Sequence, residues 1–324
     1  MGKKVKLRDL LSKEQLFMPC VWDCMSLKAA ELSGFKAAVV GGSCFAWSHA
    51  GIPDLGMITI DEYKQGFERM TDTSPLPLII DFEDGFGETP AQVYLSARKM
   101  VNAGVQGLIL YDTCPYRGTE RGFNLSTIPN SHIEGWVTKV VPTEEYLARV
   151  KAAVKACEGS DCIVIAASVA AISPYSTLDL DEAIDRTLRA KDLGAEMDFT
   201  AIPHWRPEGN MERCRKIAKA IPGWHYYGDD CLGDKTDHKE LAELGFNAIG
   251  HHALHWGSYY GMLDIGKHNF INQDTSYGEK RDRGGDFLKY EIHAIEDYRG
   301  QEWIGREKTF QEAAREAIKR HGLA

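Results

Sequence analysis

Several acidic side chains stand at positions where a metal ion could bind. Asp81 and Glu83 lie two residues apart after the apolar run Leu76–Ile80, so both would face one side of an extended strand. Mg²⁺ prefers oxygen ligands, usually one or two carboxylates together with waters and substrate oxygens. We therefore predict that Asp81 and Glu83 hold a metal. Asp54 and Asp84 fit a metal site and a structural role, as helix caps or partners of loop amides, about equally well.

A glycine-rich turn and a group of histidines are further candidates. Gly41-Gly42-Ser43 follows a predicted strand and could bind a carboxylate or a phosphate through backbone amides, although such glycines also form plain turns. His252 and His255 are spaced to share a helix face and, with His251, could bind a metal. No Glu accompanies them as in metalloproteases, and we expect at least two of the three to be structural.

Short apolar runs alternate with helix-like segments, and this alternation predicts how the candidates are positioned. The predicted strands are Leu16–Val21, Ala37–Val40, Leu76–Ile80, Gly107–Leu110, Ile163–Ala167, Glu196–Phe199, Trp224–Tyr227 and Asn247–Ile249. The predicted helices are Ser26–Ser33, Asp61–Met70, Pro90–Ala103, Thr143–Ala156, Asp181–Leu193, Met211–Ala220, Lys235–Leu244 and Ala253–Met262. Such alternation is typical of parallel sheets with right-handed crossovers. Eight units predict an α/β fold, a (β/α)8 TIM barrel, whose catalytic groups gather where strands run into the following loops.

Two segments exceed a simple barrel. Residues 112–141 form a long connection rich in Gly, Pro, Asn, Thr and Arg, and connections of that length are usually functional lids or disordered segments. We predict a catalytic barrel over residues 1–265, with 112–141 as its lid, and a C-terminal helical arm over 266–324. The arm resumes helical patterning at Phe287–Tyr298 and Thr309–Arg320, and it could pack on a neighbouring subunit or cap its own barrel.

Composition and charge exclude several classes of protein. Lys and Arg number 38 against 47 Asp and Glu, so the net charge is −9, and an acidic chain without a basic stripe is a poor nucleic-acid binder. We find no apolar run long enough to span a membrane and no secretory signal, and we expect a cytoplasmic protein that binds neither nucleic acid nor membrane. The eight cysteines are expected to be buried, reduced thiols. An anionic substrate would need a cation in the site.

Three ordered motifs resemble the isocitrate lyase/phosphoenolpyruvate mutase superfamily. Met18–Ser26, followed by Ala29–Phe35, is similar to its first strand and helix, and Gly51–Gly56 is similar to its second signature. Asp81-x-Glu83-x-Gly85-Phe-Gly87 resembles its metal motif, which usually reads Asp-x-Asp-x-Gly-Tyr/Phe-Gly. The resemblance extends in order from about residue 7 to about residue 265.

The resemblance implies a (β/α)8 barrel with a Mg²⁺ site, for which Mn²⁺ is an alternative, and a mobile lid after the fourth strand. It also implies a last helix that is often swapped between subunits, so we expect a homodimer or homotetramer. By the same resemblance, Asp81 matches the direct metal ligand, and Asp54 and Glu83 match carboxylates that hold metal-bound waters. Residues 41–43 match the loop that binds the substrate carboxylate.

Departures from the family pattern indicate a different substrate. Tyr111-Asp112 stands where the family has Glu-Asp, and we assign Ser168 to the position of an Arg that clamps the substrate. Without that Arg the site lacks a strong carboxylate anchor. The lid also lacks the lyase motif, so isocitrate and methylisocitrate are not the expected substrates. The remaining residues suit a substrate with more hydroxyl or amine character.

The candidate site residues form two groups besides the metal ligands. The catalytic candidates are Tyr111, Asp112, Cys114, Tyr116 and Arg117. The candidate proton donors are the lid residues Cys114 and Tyr116 or a water held by the lid. Arg117, Arg121 or Arg206 could replace the missing Arg from a loop. The substrate-binding candidates are Trp22, Gly41, Gly42, Ser43, Ser168, His204, Asp229 and His252.

Three functions fit this chemistry. The preferred one is a Mg²⁺-dependent carbon–carbon lyase, or as runner-up a hydrolase, that acts on a 2-oxo acid or hydroxy acid through a metal-stabilised enolate. The second keeps the metal but carries out group transfer, isomerisation or carbon–phosphorus chemistry. The third is a non-catalytic binding protein on a decayed enzyme scaffold. The presence of Asp54, Asp81, Glu83 and the turn at 41–43 argues against full decay.

Overall fold

A computed structural model describes residues 5–54, 56–113, 140–171, 180–202, 209–229, 237–280, 315 and 318–322. Within these residues, eight strands form a single sheet. The strands are β1 (Leu16–Pro19), β2 (Ala38–Val40), β3 (Leu78–Asp81), β4 (Gly107–Tyr111), β5 (Ile163–Ser168), β6 (Met197–Thr200), β7 (Trp224–Asp229) and β8 (Phe246–His251).

The strands close into a barrel. Their order in the sheet is β1-β8-β7-β6-β5-β4-β3-β2, and the paired strands are parallel. At the seam, the Cys20 N–H donates to the His251 carbonyl over 2.7 Å, which extends the pairing of β1 with β8. A parallel bridge between Cys20 and Val39 joins the end of β1 to β2. This ring of strands confirms the predicted (β/α)8 TIM barrel.

Helices follow the strands as predicted. Those described are α1 (Leu7–Leu11), α2 (Cys24–Leu32), α3 (Gly42–Ala50), α4 (Ile60–Thr73), α5 (Pro90–Asn102), α6 (Thr143–Cys157), α7 (Leu180–Asp192), α8 (Asn210–Ala220), α9 (His238–Glu243), α10 (Ala253–Asn272) and α11 (Ser276–Glu279). Side-chain caps explain where some begin. Thr59 accepts the Glu62 N–H at the start of α4, and Thr89 accepts the Gln92 N–H at the start of α5.

The alternation of strand residues divides the core into two layers. One apolar cluster lies inside the barrel and includes Ile79 of β3, Ile109 of β4 and Ala167 of β5. The other lies between the strands and the surrounding helices and includes Ile80 and Leu108 with helical side chains. Successive strand residues face opposite layers, so the register shows which side chains can reach a site inside the barrel mouth.

Besides the short α11, two helices were not predicted from the sequence. Leu7 and Leu11 of α1 pack into the interior cluster, and the Leu7 N–H donates to Gln106 Oε1 just before β4. The helix therefore covers the amino ends of the strands and leaves the carboxyl ends as the open mouth. The other is α3, which begins at Gly42 where the sequence analysis placed a loop. Its buried face is Cys44, Phe45 and Ala46, too short a run to indicate a helix by periodicity.

The chain divides into two compact units, Met1–Gly257 and Ser258–Ala324. The first contains the barrel. In the second, α10 continues ten residues past its predicted end at Met262, and most of the predicted helices at 287–298 and 309–320 lie outside the described residues. Within the described part of the chain, no helix combines the length and the apolar character needed to cross a membrane.

Candidate functional site

Three carboxylates meet at the open mouth of the barrel. Asp81 ends β3, Glu83 follows two residues later, and Asp54 lies between α3 and α4. Their ligand oxygens all lie within 4.8 Å of one another, with Glu83 buried and the other two half-buried. The structure thus brings together the three predicted metal ligands, which we call the carboxylate cluster. That they bind a metal stays a prediction.

Backbone amides fix Asp81 in this cluster. Its Oδ1 accepts the Glu83 N–H at 2.9 Å, and its Oδ2 accepts the Gly42 N–H at 3.3 Å. The neighbouring Asp84 has a different role, because its Oδ1 accepts the Phe86 N–H at 3.0 Å within the following turn. Of the two alternatives left open for Asp84, this contact favours the structural one.

Glu83 reaches the cluster through a tight turn and not along an extended strand. β3 ends at Asp81, and both Glu83 and Phe86 adopt positive φ angles, 51° and 53°. Such angles are uncommon outside glycine and often occur at functional sites. The Tyr111 N–H donates to the Glu83 carbonyl at 2.8 Å and holds the turn against β4. The carboxylates of Asp81 and Glu83 do converge, but the predicted reason, a shared strand face, is wrong.

The glycine turn forms the N-terminus of α3. Gly41 is the N-cap residue, and Gly42 and Ser43 lie in the first helical turn. A Cβ at Gly42 would lie only 2.4 Å from Glu83 Oε1 and 2.8 Å from Asp54 Oδ2, so the close approach of the carboxylates requires glycine there. First-turn amides have no partners within their own helix and favour anions. The Gly42 amide donates to Asp81, and the carboxylate-binding role predicted for residues 41–43 stays a prediction.

Asp112 and Ser168 point away from the barrel interior, contrary to the roles predicted for them. Ser168 Oγ donates to Asp112 Oδ2 at 2.7 Å, and the Val169 N–H donates to Asp112 Oδ1 at 3.0 Å. Arg186 of α7 lies 3.5 Å from the same Oδ2. Because side chains alternate along β5, Ala167 and not Ser168 lines the interior at this level. The site of the absent Arg is thus better placed at Ala167.

The surroundings of Asp112 are those of a structural group. Its side chain is fully buried, and burial raises the pKa of the carboxyl above its ordinary value, while the bonds from Ser168 and Val169 oppose the rise. Arg186 also donates to the Val141 carbonyl at 2.8 Å. These contacts tie β4 and β5 to α7 behind the barrel wall. Of the two predicted residues at the end of β4, Tyr111 is the one that packs inside the barrel, with its ring 6.0 Å from Phe199.

A second group of polar side chains lies beside the first and was missed by the sequence analysis. Cys20, Cys44 and His252 place two sulfur atoms and one imidazole nitrogen within 4.8 Å of one another. We call these three residues the thiol–imidazole cluster. Hydrogen bonds with Cys20, and with His252 and His255, lower the pKa of Cys44 to about 3 despite its burial. The structure places His252 among these thiols, and its predicted contact with substrate stays a prediction.

The other aromatic and histidine candidates lie around this second cluster. The ring of Trp22 lies 5.1 Å from that of His255, at the edge of the interior apolar cluster. His251 stacks on Phe17 at 4.2 Å, which supports the structural role expected for it. Trp22 therefore borders the thiol–imidazole cluster, and its predicted contact with substrate stays a prediction.

Some predicted site residues are not described. Cys114, Tyr116, Arg117 and His204 lie outside the described residues, as does most of the predicted lid. Asp229 ends β7 opposite His251 of β8, and only its backbone is described. The roles proposed for these five residues stay predictions.

A protein-family comparison identifies the chain. The family model described as phosphoenolpyruvate phosphomutase matches residues 7–264. The chain belongs to this family. The match spans all eight strands and both side-chain clusters, and it confirms the resemblance to the isocitrate lyase/phosphoenolpyruvate mutase superfamily found in the motifs.

Two curated relatives of this phosphoenolpyruvate phosphomutase family member are named as lyases. The chain is 29% identical to 2,3-dimethylmalate lyase of Eubacterium barkeri over 253 residues, which are 76% of this chain and 78% of the relative. It is 26% identical to isocitrate lyase of Haloferax volcanii over 332 aligned positions, covering 98% of this chain and 89% of the relative. The names of these relatives support the prediction that the chain is an enzyme.

The barrel is also similar to a solved structure of the family. The phosphoenolpyruvate phosphomutase from Streptomyces platensis subsp. rosaceus superposes with a TM-score of 0.71 at 18% identity, covering 98% of this chain and 99% of that one. At that identity the likeness confirms the fold and leaves the reaction open.

Proposed function

We propose that the chain is a Mg²⁺-dependent carbon–carbon lyase for a small 2-oxo or 2-hydroxy carboxylic acid, with hydrolysis as the runner-up reaction. The observation that carries the proposal is the carboxylate cluster, with its three ligand oxygens within 4.8 Å of one another at the mouth of the barrel. Catalytic groups of such barrels lie at this end. The names of the two lyase relatives favour bond cleavage.

The cluster fits a hard divalent cation. Its three donors are carboxylate oxygens, which Mg²⁺ and Mn²⁺ prefer over sulfur or nitrogen. Glycine at position 42 leaves room where any side chain would touch Glu83 and Asp54. Three carboxylates this close would repel one another without a cation. A cation here would also answer the question raised by the net charge of −9, because it gives an acidic chain a place for an anion.

A bound Mg²⁺ would polarise the substrate carbonyl and stabilise the negative charge that develops as the carbon–carbon bond breaks. The chain's own residues supply the rest of the site. At the N-terminus of α3 the Gly42 amide donates to Asp81, and the neighbouring Ser43 amide is the candidate donor to a substrate carboxylate. The ring of Tyr111 borders the barrel interior next to the turn that carries Glu83. Among the described residues, its hydroxyl is our candidate for donating or accepting a proton.

Product analysis tests the proposed reaction. A panel of 2-oxo and 2-hydroxy dicarboxylic acids, including 2,3-dimethylmalate, is incubated with the chain and Mg²⁺, and products are separated by mass spectrometry. We expect one substrate class to give two split products. Asp81→Ala should slow the reaction at least about 10³-fold, since it removes a group that holds the electrostatic stabiliser. Asp84→Asn is the matched control, because its amide oxygen can still accept the Phe86 N–H.

Other results would contradict the proposal. A rearranged product of unchanged mass would replace cleavage by isomerisation. Slow exchange of a substrate α-proton with D₂O and no split product would favour another reaction on the same site. If Mg²⁺ neither binds nor alters thermal stability, both enzymatic functions fail, and ligand binding without turnover across the panel would indicate a binding protein.

We further propose that the chain forms a homodimer or homotetramer through α10. This helix exposes large apolar side chains, with Tyr260 65%, Phe270 78% and Ile271 74% exposed. Exposed apolar surface of this kind is typical of interaction sites, and a second copy of the chain is the partner we propose. Light scattering after size exclusion should give at least twice the mass of 36.2 kDa, and Phe270→Asp should lower it. A monomer at all concentrations would contradict this.

A further inference from the structure

The thiol–imidazole cluster has the composition of a metal site, but not of a magnesium site. Its ligand atoms are the sulfurs of Cys20 and Cys44 and a ring nitrogen of His252, all within 4.8 Å of one another. Thiolate and imidazole are the usual ligands of Zn²⁺ in proteins, whereas Mg²⁺ and Ca²⁺ take oxygen. None of these residues belongs to the carboxylate cluster.

The seam of the barrel brings the three residues together. Cys20 follows β1, and its backbone bonds to His251 of β8 and pairs with Val39 of β2. His252 follows β8 directly, and Cys44 lies in the first turn of α3 just after β2. Backbone hydrogen bonds at the closing point of the barrel therefore set the positions of three ligands that are distant in sequence.

The ligand atoms surround a common space beside Gly41. A Cβ at this residue would lie 3.3 Å from His252 Nε2, 3.6 Å from Cys44 Sγ and 3.9 Å from Cys20 Sγ. All three atoms thus face the side of Gly41 where a side chain would stand. Two ligands of one tetrahedral zinc ion lie roughly 3.8 Å apart, given Zn–S bonds of about 2.3 Å. The observed spread requires only a small contraction.

We propose that Cys20, Cys44 and His252 bind a zinc-type soft divalent cation that ties β1, β8 and α3 together at the seam of the barrel. His255 lies beside the site, hydrogen-bonded to Cys44 and packed on Trp22. It is placed either to complete the coordination or to orient Cys44. The ion would lie beside Gly41, and the carboxylate cluster lies beside Gly42.

Two simpler accounts of the cysteines compete with this proposal. Buried thiols often serve only as small apolar side chains, but here Cys44 is surrounded by polar partners, Cys20, His252 and His255. Alternatively, Cys20 and Cys44 could join in a disulfide, although both are reduced in the structure. A metal accounts for the convergence of all three donor atoms on one space, whereas a disulfide would use only the two sulfurs.

Metal analysis of the untagged chain tests the proposal. The chain is purified with a thiol reductant, dialysed against a weak chelator, and measured by elemental analysis and by titration with Zn²⁺ alone. We expect one zinc per chain and, after exchange with Co²⁺, a thiolate-to-metal charge-transfer band. Cys44→Ser and His252→Gln should each weaken Zn²⁺ binding at least about 100-fold, because each removes a ligand. His255→Ala should weaken it by at least about 10-fold.

A buried thiol elsewhere provides the matched control. Cys214 of α8 is fully buried and lies outside the cluster, so Cys214→Ala should keep the zinc. His252 is only half-buried, which makes His252→Gln informative even if Cys44→Ser fails to fold. Equal loss of zinc in Cys214→Ala, no binding of Zn²⁺ or Co²⁺ by the native chain, or a Cys20–Cys44 disulfide in the reductant-purified chain would each overturn the proposal. None of these measurements depends on turnover.

Discussion

The two sides of the Gly41–Gly42 pair present opposite chemistries. The space beside Gly42 is bounded by the oxygens of Asp54 and Glu83, and the space beside Gly41 is bounded by Cys44, Cys20 and His252. The first cluster is anionic and uses oxygen donors. The second uses sulfur and nitrogen, which prefer different cations. Adjacent residues at the start of one helix thus border donors suited to a hard cation and donors suited to a soft cation.

Different strands support the two clusters. The carboxylate cluster depends on β3 and the strained turn after it, with Glu83 at a φ of 51°. The thiol–imidazole cluster depends on the seam between β1, β8 and β2. Because different strands support the two clusters, each can be altered without removing the ligands of the other. We propose that the first serves the reaction and that the second serves the architecture.

Substitutions in the two clusters should each weaken the binding of one metal and leave the binding of the other nearly unchanged. Asp81→Ala should weaken Mn²⁺ binding at least about 100-fold and leave Zn²⁺ binding within about threefold, while Cys44→Ala should do the reverse, because donor type decides which cation binds. Calorimetric titration of each variant with each metal measures this. If one substitution weakens both metals equally, the clusters form a single site and the comparison fails.

The glycine pair offers a finer test. Gly42→Ala would place a Cβ 2.4 Å from Glu83 Oε1, and Gly41→Ala would place one 3.3 Å from His252 Nε2. Gly41 has a φ of −76°, so alanine is not strained there, and Gly42 is helical. We expect Gly42→Ala to weaken Mn²⁺ binding by about 10-fold or more, as ligand displacement does. Gly41→Ala should weaken Zn²⁺ by less, since 3.3 Å leaves room to relax.

The same titrations decide whether each glycine affects only the metal bound by the cluster beside it. Gly51→Ala, at the end of α3 with open space around it, controls for a general effect on the helix. Because the φ of Gly51 is 66°, Gly51→Ala should lower the free energy of unfolding. It should not change the affinity for one metal more than for the other. If Gly41→Ala and Gly42→Ala lost the same affinity for both Mn²⁺ and Zn²⁺, two separately placed clusters would be contradicted.

Asp112 belongs to neither cluster, and we expect a smaller effect when its hydrogen bond from Ser168 is removed. Ser168→Ala removes the hydroxyl that donates to the buried Asp112 carboxylate at 2.7 Å. We expect a loss of about 1.5–3 kcal/mol in the free energy of unfolding, the typical value for such bonds to charged groups. Metal binding and substrate KM should stay unchanged. The exposed Ser33→Ala is the control, with an effect within about 0.5 kcal/mol. A raised KM without lost stability would restore Ser168 to the substrate site.

The smallest effect is a pH dependence of stability from Asp112. Because burial raises its pKa, the folded chain binds this proton more tightly than the unfolded chain. Its stabilising contribution is full below about pH 4, near the ordinary pKa of Asp, and is lost as pH rises through the raised value. The stability of Asp112→Asn relative to the native chain should therefore increase with pH and then level off. Chemical denaturation at several pH values measures it, and a difference that falls with pH would contradict it.

Local sequence patterns predicted most of the fold and half of the site. The strands show as short apolar runs, and the Asp81–Glu83 motif lies within one turn, so its carboxylates could be grouped without knowing the fold. The thiol–imidazole cluster could not, because Cys20, Cys44 and His252 meet only when the barrel closes. A weak signal was present, since Cys20 lies near the end of the first predicted strand and His252 lies three residues after the last one.

The error at Ser168 has a different physical cause. Side chains alternate along a strand, so an assignment shifted by one residue moves the side chain from the interior to the helix layer. Ser168 faces Asp112 and Arg186, and its neighbour Ala167 faces the interior. Motif comparison alone did not fix that register. Helix α3 was missed because it begins with glycines, which are typical of turns, and because its buried face is short.

Anomalous diffraction from crystals that contain both Mn²⁺ and Zn²⁺ would show whether the two clusters bind different metals. Data collected at the absorption edge of each metal would locate the two ions independently. We predict a manganese peak among Asp54, Asp81 and Glu83. A separate zinc peak is expected among Cys20, Cys44 and His252. A single shared position for both metals, or zinc confined to the carboxylates with none at the cysteines, would contradict it.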